Sequence, residues 1–134
     1  LEELYGVRFG SLGIKETYIK CGNLEQGGMR SDFVNVANLS DRPLKVDFKD
    51  VSEHLTVNVT PNPIPARATA ELEFTIKASR DKWGRNDYWA VPVIDGDTHS
   101  ANNGDKRLGF WAFTKEDIKG LSEEEKSKGP RPQF

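Results

Sequence analysis

The chain has 134 residues, of which 36% are hydrophobic and 30% charged, with a formal charge of −2. That length supports one domain with a packed core, and the near-neutral balance argues against a nucleic-acid partner, which requires a basic field. No apolar run approaches the roughly 18–20 residues of a bilayer-crossing helix, so no membrane span is expected in this segment.

In chain order, Leu1 to Tyr5 reads as the tail of a helix or a linker that Gly6 ends. The chain starts at Leu1 with neither a Met nor a signal-like apolar stretch, which predicts a processed product or an excised piece. Val7 to Ile14 and Thr17 to Cys21 are short strand candidates, the first interrupted by Gly10 and Gly13. Cys21 is the only cysteine, so no internal disulfide forms, and it is expected as a small buried residue. Gln26-Gly27-Gly28 is a turn, followed by a strand over Met29 to Ala37.

Residues 31–48 are the most informative stretch. Val34 and Val36 alternate with polar neighbours, Asn38 to Pro43 forms a polar turn, and Leu44, Val46 and Phe48 alternate again. Side chains two apart on a strand share a face, so this pattern predicts an antiparallel sandwich built by hairpins. Leu55, Val57 and Val59 continue it. Thr60-Pro61-Asn62-Pro63-Ile64-Pro65 lacks the N–H groups of a central strand and is expected as an extended connection crossing between two sheets. Leu72, Phe74 and Ile76 alternate cleanly with Glu71, Glu73, Thr75 and Lys77. Asp81 to Asp87 reads as a polar loop, and Tyr88–Ile94 and Leu108–Thr114 complete about seven to eight strands at sandwich spacing.

The end of the chain changes character. Thr114-Lys115-Glu116-Asp117 is a helix-capping pattern, and Leu121 to Lys126 offers a second start, with Glu125 three residues after Ser122. Gly129-Pro130-Arg131-Pro132 stops it, and the balanced charge fits a solvated linker. The division expected is therefore 1–14 as inter-domain linker and lead-in strand, 15–114 as sandwich and 115–134 as helical or linker tail. Glu2-Glu3-Leu4 before Val7-Arg8-Phe9 echoes Glu123-Glu124-Glu125 before Pro130-Arg131-Pro132-Gln133-Phe134, as at the two junctions of one unit in a tandem array.

Two segments carry a family resemblance: Val34-x-Val36-x-Asn38-Leu39-Ser40-Asp41-Arg42-Pro43-Leu44-Lys45-Val46, and Ile64-Pro65-Ala66-Arg67-Ala68 leading into Leu72-x-Phe74-x-Ile76. They resemble an uncharacterised family of immunoglobulin-like domains from cell-envelope proteins of Bacteroidetes, similar to major-sperm-protein and ASH/HYDIN-type domains. The resemblance runs from about residue 15 to the C-terminus, where Phe113 to Ile118 and Pro130-Arg131 look like the family's exit from a domain. It implies an all-β immunoglobulin-like sandwich, a periplasmic or cell-surface location, and neighbouring domains or another envelope protein as partners. Ser40 stands where the family turn often has Gly, and Ala66-Arg67 replaces Pro-Gly. The Cys-x-Cys pair of many relatives is missing from Val51 to Thr60, so no metal or redox role carries over.

His54 and His99 are the only imidazoles, and no nucleophile, phosphate-loop or metal motif accompanies them. Asp95-Gly96-Asp97-Thr98-His99, with Asn102, Asn103 and Asp105 beyond, is rich in oxygen ligands, but Ser100 and Lys106 break the calcium-loop pattern. A solvated hairpin loop is expected there, with no metal and no cofactor. Asn38-Leu39-Ser40 and Asn58-Val59-Thr60 match the N-glycosylation pattern, which a bacterial source leaves idle.

Aromatic residues are the best functional lead. Trp83, Tyr88, Trp89, Phe110, Trp111 and Phe113 crowd the last third of the domain. Alternation predicts Trp89, Val91 and Val93 facing the core with Tyr88 outward. On the last strand, Leu108, Phe110 and Ala112 oppose Trp111 and Phe113, so one set needs cover from the tail, a neighbouring domain or a ligand. Trp83, Arg85, Tyr88 and Trp111 are the candidate binding residues, suited to a sugar ring or a protein partner. The reading is a non-catalytic spacer or interaction module of a larger envelope protein, with glycan binding through Trp83, Tyr88 and Trp111 as the alternative and an enzyme as a remote one.

Overall fold

The computed structural model describes residues 3–25, 27–78 and 83–115. Thr114 and Lys115, expected to cap a helix, are extended strand, and the rest of the expected helical tail lies outside these residues. Ten strands are present among them: β1 (Val7–Phe9), β2 (Leu12–Ile14), β3 (Tyr18–Glu25), β4 (Met29–Asn38), β5 (Val46–Lys49), β6 (Leu55–Thr60), β7 (Thr69–Lys77), β8 (Gly84–Ile94), β9 (Asp97–Thr98) and β10 (Leu108–Lys115). One sheet runs β1-β2-β4-β7-β6 and the other β3-β10-β8-β5, with β9 paired to β8. All pairings are antiparallel except that of β3 with β10. The architecture is the expected immunoglobulin-like β-sandwich.

The alternation of β7 sets the core. Leu72, Phe74 and Ile76 point inward while Glu71, Glu73 and Lys77 face water. Phe74 meets Phe110 of the opposite sheet with ring centroids 5.0 Å apart, and Phe9, Leu12, Ile14, Val36, Leu44, Val46, Ile64 and Leu108 close around this contact. Each such side chain contributes on the order of 1.5–3 kcal/mol by leaving water.

Four local expectations change. Val7 to Ile14 is a hairpin, because Gly10 adopts a φ of +59°, and Phe9, Leu12 and Ile14 belong to the core. Leu4 lies in a turn, and Tyr5 is buried against Ala37 and Leu39 instead of ending a helix. The segment after Asn38 is a crossover between sheets, not a hairpin: β4 pairs with β2 and β7, whereas β5 pairs with β8. Conversely, the proline segment joins β6 and β7 of one sheet. It leans across to the other sheet through backbone bonds between Leu44 and Ile64, so its prolines interrupt no ladder.

Asn38 holds these two connections together. Its side chain is fully buried, with Nδ2 donating to the carbonyls of Arg42 at 2.7 Å and Ile64 at 3.0 Å, and Oδ1 accepting from the Ser40 amide at 2.9 Å. One amide thus satisfies polar backbone that neither ladder serves.

Candidate functional site

The outer face of the β3-β10-β8 sheet carries two of the expected binding residues. Residues 84–87, read from sequence as loop, are the first part of β8, so Arg85 and Asp87 stand on a strand and face outward. Register builds three rows: Tyr18, Gly109 and Trp89; Lys20, Trp111 and Asp87; Asn23, Phe113 and Arg85. The Arg85 guanidinium lies 4.7 Å from the Trp111 ring centroid and 5.6 Å from that of Tyr18. Lys20 covers Trp111 at 5.5 Å and Arg107 covers Trp89 at 3.8 Å. The Tyr18 hydroxyl donates to Asp87 and accepts from Arg85 at 2.8 Å, a bond that raises the Arg85 pKa above its ordinary value.

Arg85 and Trp111 are therefore brought together, while Tyr88 is not. Tyr88 is buried on the opposite face of β8, and Trp89, Val91 and Val93, expected in the core, face outward. The reason lies across the ladder. Gly109 opposes Trp89, and a Cβ on Gly109 would stand 2.6 Å from Trp89 Cζ3, so the missing side chain is the seat of the indole. Burial raises the Tyr88 phenol pKa, which suits packing rather than ligand contact. Trp83 stands one residue before β8 and is half-buried. Tyr18, Lys20, Trp89 and Arg107 were missed by the sequence reading; a lone glycine in an aromatic strand was the available signal. Phe110 faces inward and Trp111 outward, which resolves the conflict on the last strand, and cations of this chain supply cover for Trp111. A sugar stacking on these rings must displace Arg85, Lys20 or Arg107.

A second region emerges at the sheet edges. Asn62 caps the start of the β5 edge, its Oδ1 accepting from the Val46 amide at 3.1 Å and its Nδ2 donating to the Val46 carbonyl at 2.7 Å. Asn102 closes β1 likewise, accepting from the Arg8 amide at 2.8 Å and donating to the Gly6 carbonyl at 2.9 Å. The first half of β4 has no such closure among the described residues. β2 covers only Val36, Ala37 and Asn38, because the chain leaves this sheet at Lys15 to enter the other as β3.

Backbone polarity alternates along β4. The Asn38 amide donates toward the β7 side, to Ala68, and the Leu39 amide toward the β2 side, to Ser11. Ser31, Phe33 and Asn35 therefore turn their N–H and C=O groups to the open side. Asp32 accepts from the Phe33 amide at 2.8 Å and sits 4.0 Å from Arg30. Arg30 and Asp32 occupy the inward parity yet are exposed, an inward-charge arrangement that discourages indiscriminate strand pairing. Met29 and Phe33 on the outward parity are 69% and 48% exposed. Where β2 ends, a notch of about 210 Å³ opens between the sheets, lined by Ile14, Lys15, Glu16, Ile19, Val34 and Asn35.

The remaining sequence candidates are dispersed. His54 sits in the turn before β6, and His99 packs against Gly10. Asp95 and Gly96, both at positive φ, make the tight turn between β8 and β9. Asn103 and Asp105 bond the Thr17 hydroxyl. Among the described residues, no three His, Cys, Asp or Glu side chains cluster as metal ligands, and no helix is long and apolar enough to cross a membrane. Cys21 is buried, which pushes its thiol pKa up to about 11.

Comparison with known proteins supports the fold. No family model matches the chain, and no curated protein matches its sequence. A protein of unknown function from Porphyromonas gingivalis is similar in structure, with a TM-score of 0.56 and 14% identity over 80% of this chain. The matched part is 46% of that protein, so this chain spans under half its length. An ASH/PapD-like domain of human CEP192 is similar with a TM-score of 0.51 and 11% identity, covering 80% of this chain and 87% of that domain.

Proposed function

We propose that this chain is a non-catalytic interaction module that binds an extended polypeptide segment along the open edge of β4. The observation that carries this reading is the one-sided pairing of Ser31, Phe33 and Asn35 beside exposed Met29 and Phe33, on a molecule where asparagine amides cap the β1 edge at Arg8 and the β5 edge at Val46. Strand addition supplies affinity through main-chain hydrogen bonds and selectivity through alternate side chains. The Asp32 carboxylate on the Phe33 amide is a built-in competitor that a partner strand displaces.

The module works as one unit of a larger multidomain protein of a bacterial cell envelope, periplasmic or on the surface. The family resemblance supports this setting. Neighbouring domains of the same chain or another envelope protein are its partners.

The test is selection of displayed random peptides on the intact chain, repeated with Asn35→Pro and with Trp111→Ala. Proline at 35 removes an amide facing the open side and leaves the β7 ladder intact. Binders are expected to be lost with Asn35→Pro and retained with Trp111→Ala. Binders that depend on Trp111 and ignore the proline would replace the edge with the aromatic face.

A further inference from the structure

The edge reading leaves open what the partner strand carries, and the surroundings of Phe33 and Val34 are specific about it. A strand continuing the line of β2 pairs antiparallel with β4, since Ile14 already opposes Val36 in that sense. Its residue opposite Val34 falls on the inward parity, above the notch lined by Ile14, Ile19 and Val34. That position takes an aliphatic side chain, which packs against Ile14, Ile19 and Val34, while Lys15, Glu16 and Asn35 line the rest of the notch.

The next residue of such a strand lies opposite Phe33 and points outward. Phe33 is flanked across β7 by Glu73, with Glu71 one outward position further along that strand. A depression of about 400 Å³ joins Phe33, Glu71 and Glu73 with Ser31, Asn58 and Thr75 on this face. Among the described residues, no lysine or arginine forms an ion pair with Glu71 or Glu73, whereas Asp32, Asp41, Asp47 and Asp87 all have one. A lysine or arginine in the partner would lay its stem over the Phe33 ring and bring its charge to these two carboxylates.

Resting on the edge reading above, we infer that the partner is an extended segment carrying an aliphatic residue followed directly by a basic one, paired antiparallel to β4 with the aliphatic side chain opposite Val34. The same geometry disfavours an acidic residue at the second position, where it would face Glu71 and Glu73.

Two synthetic eight-residue peptides of alternating threonine and valine, with Ile-Lys or Ile-Glu at the centre, test this on the intact isotope-labelled chain. Affinity is read by titration and location by the exchange rates of individual backbone amides. The Ile-Lys peptide is expected to bind about three- to tenfold more tightly than the Ile-Glu peptide. It should protect the amides of Ser31, Phe33 and Asn35. In a Glu71→Gln/Glu73→Gln variant, the preference should disappear while those amides remain protected. Equal affinity of the two peptides in the parent chain, with the edge still protected, overturns the aliphatic-basic assignment and leaves the edge intact. A preference that survives the double substitution overturns it as well. Protection elsewhere, or none with either peptide, overturns the edge reading itself.

Discussion

Replacing Gly109 by alanine probes the seat of Trp89 directly. In an ordinary strand position, Gly→Ala stabilises by roughly 0.4–1 kcal/mol, since the unfolded chain has less freedom to lose. Here the new Cβ would lie 2.6 Å from Trp89 Cζ3 and 3.1 Å from Cε3, against an ordinary contact of 3.4–4 Å. The indole must move by about 1 Å or swing off the sheet. Displacement weakens its tilted contact with Tyr18, centroids 5.6 Å apart, and its cover by Arg107 at 3.8 Å. Those losses are about 0.5–1.5 and 0.5–1 kcal/mol, and residual overpacking adds to them. The net expectation is a destabilisation of about 1–2 kcal/mol. Urea unfolding followed by both tryptophan fluorescence and circular dichroism measures it. A Trp89→Ala background isolates the cause: there Gly109→Ala should be neutral or stabilising. A parent-background Gly109→Ala as stable as the wild type, or one equally destabilised in both backgrounds, refutes the account.

Two further perturbations address the core. Asn38→Ala strips the Arg42 and Ile64 carbonyls and the Ser40 amide of a shared partner, and should cost about 2–4 kcal/mol by denaturant titration; a loss below about 1 kcal/mol would mean that water replaces the amide. Cys21 gives a pH dependence whose sign follows from burial. Its folded pKa of about 11 exceeds the unfolded value, so its neutral thiol contributes fully below the unfolded pKa and loses that contribution as pH rises toward 11. Stability should therefore fall above about pH 9 more steeply for the parent than for Cys21→Ala, and matching profiles would contradict the assignment.

Much of the sandwich was legible because period-2 patterns need no long-range information. Leu72, Phe74 and Ile76 read correctly because Glu71, Glu73 and Lys77 left one face for the core. The reading failed on β8, where Tyr88, Ala90 and Ile94 on one face and Trp89, Val91 and Val93 on the other are both apolar. Two apolar faces give alternation no preferred sense, and the decision passed to Gly109 across the ladder. Arg85 and Trp111 were named as candidates, but their contact at 4.7 Å depends on a register that neighbouring residues do not encode. The charges Arg30 and Asp32 at the inward parity of β4 were visible in sequence, and they marked a strand whose first half the opposite sheet covers only in part, with Arg30 lying beside Gly22 of β3.

Sequence alone determined that this chain alternates, turns and folds as two β layers, because side-chain periodicity is a local property of the backbone. Which strands became neighbours, where β2 stopped short along β4, and which face of β8 met solvent were decided only in the assembled sandwich. Those outcomes rest on steric fit and hydrogen-bond closure between residues far apart in the chain, and the open edge at Ser31, Phe33 and Asn35 is one of them.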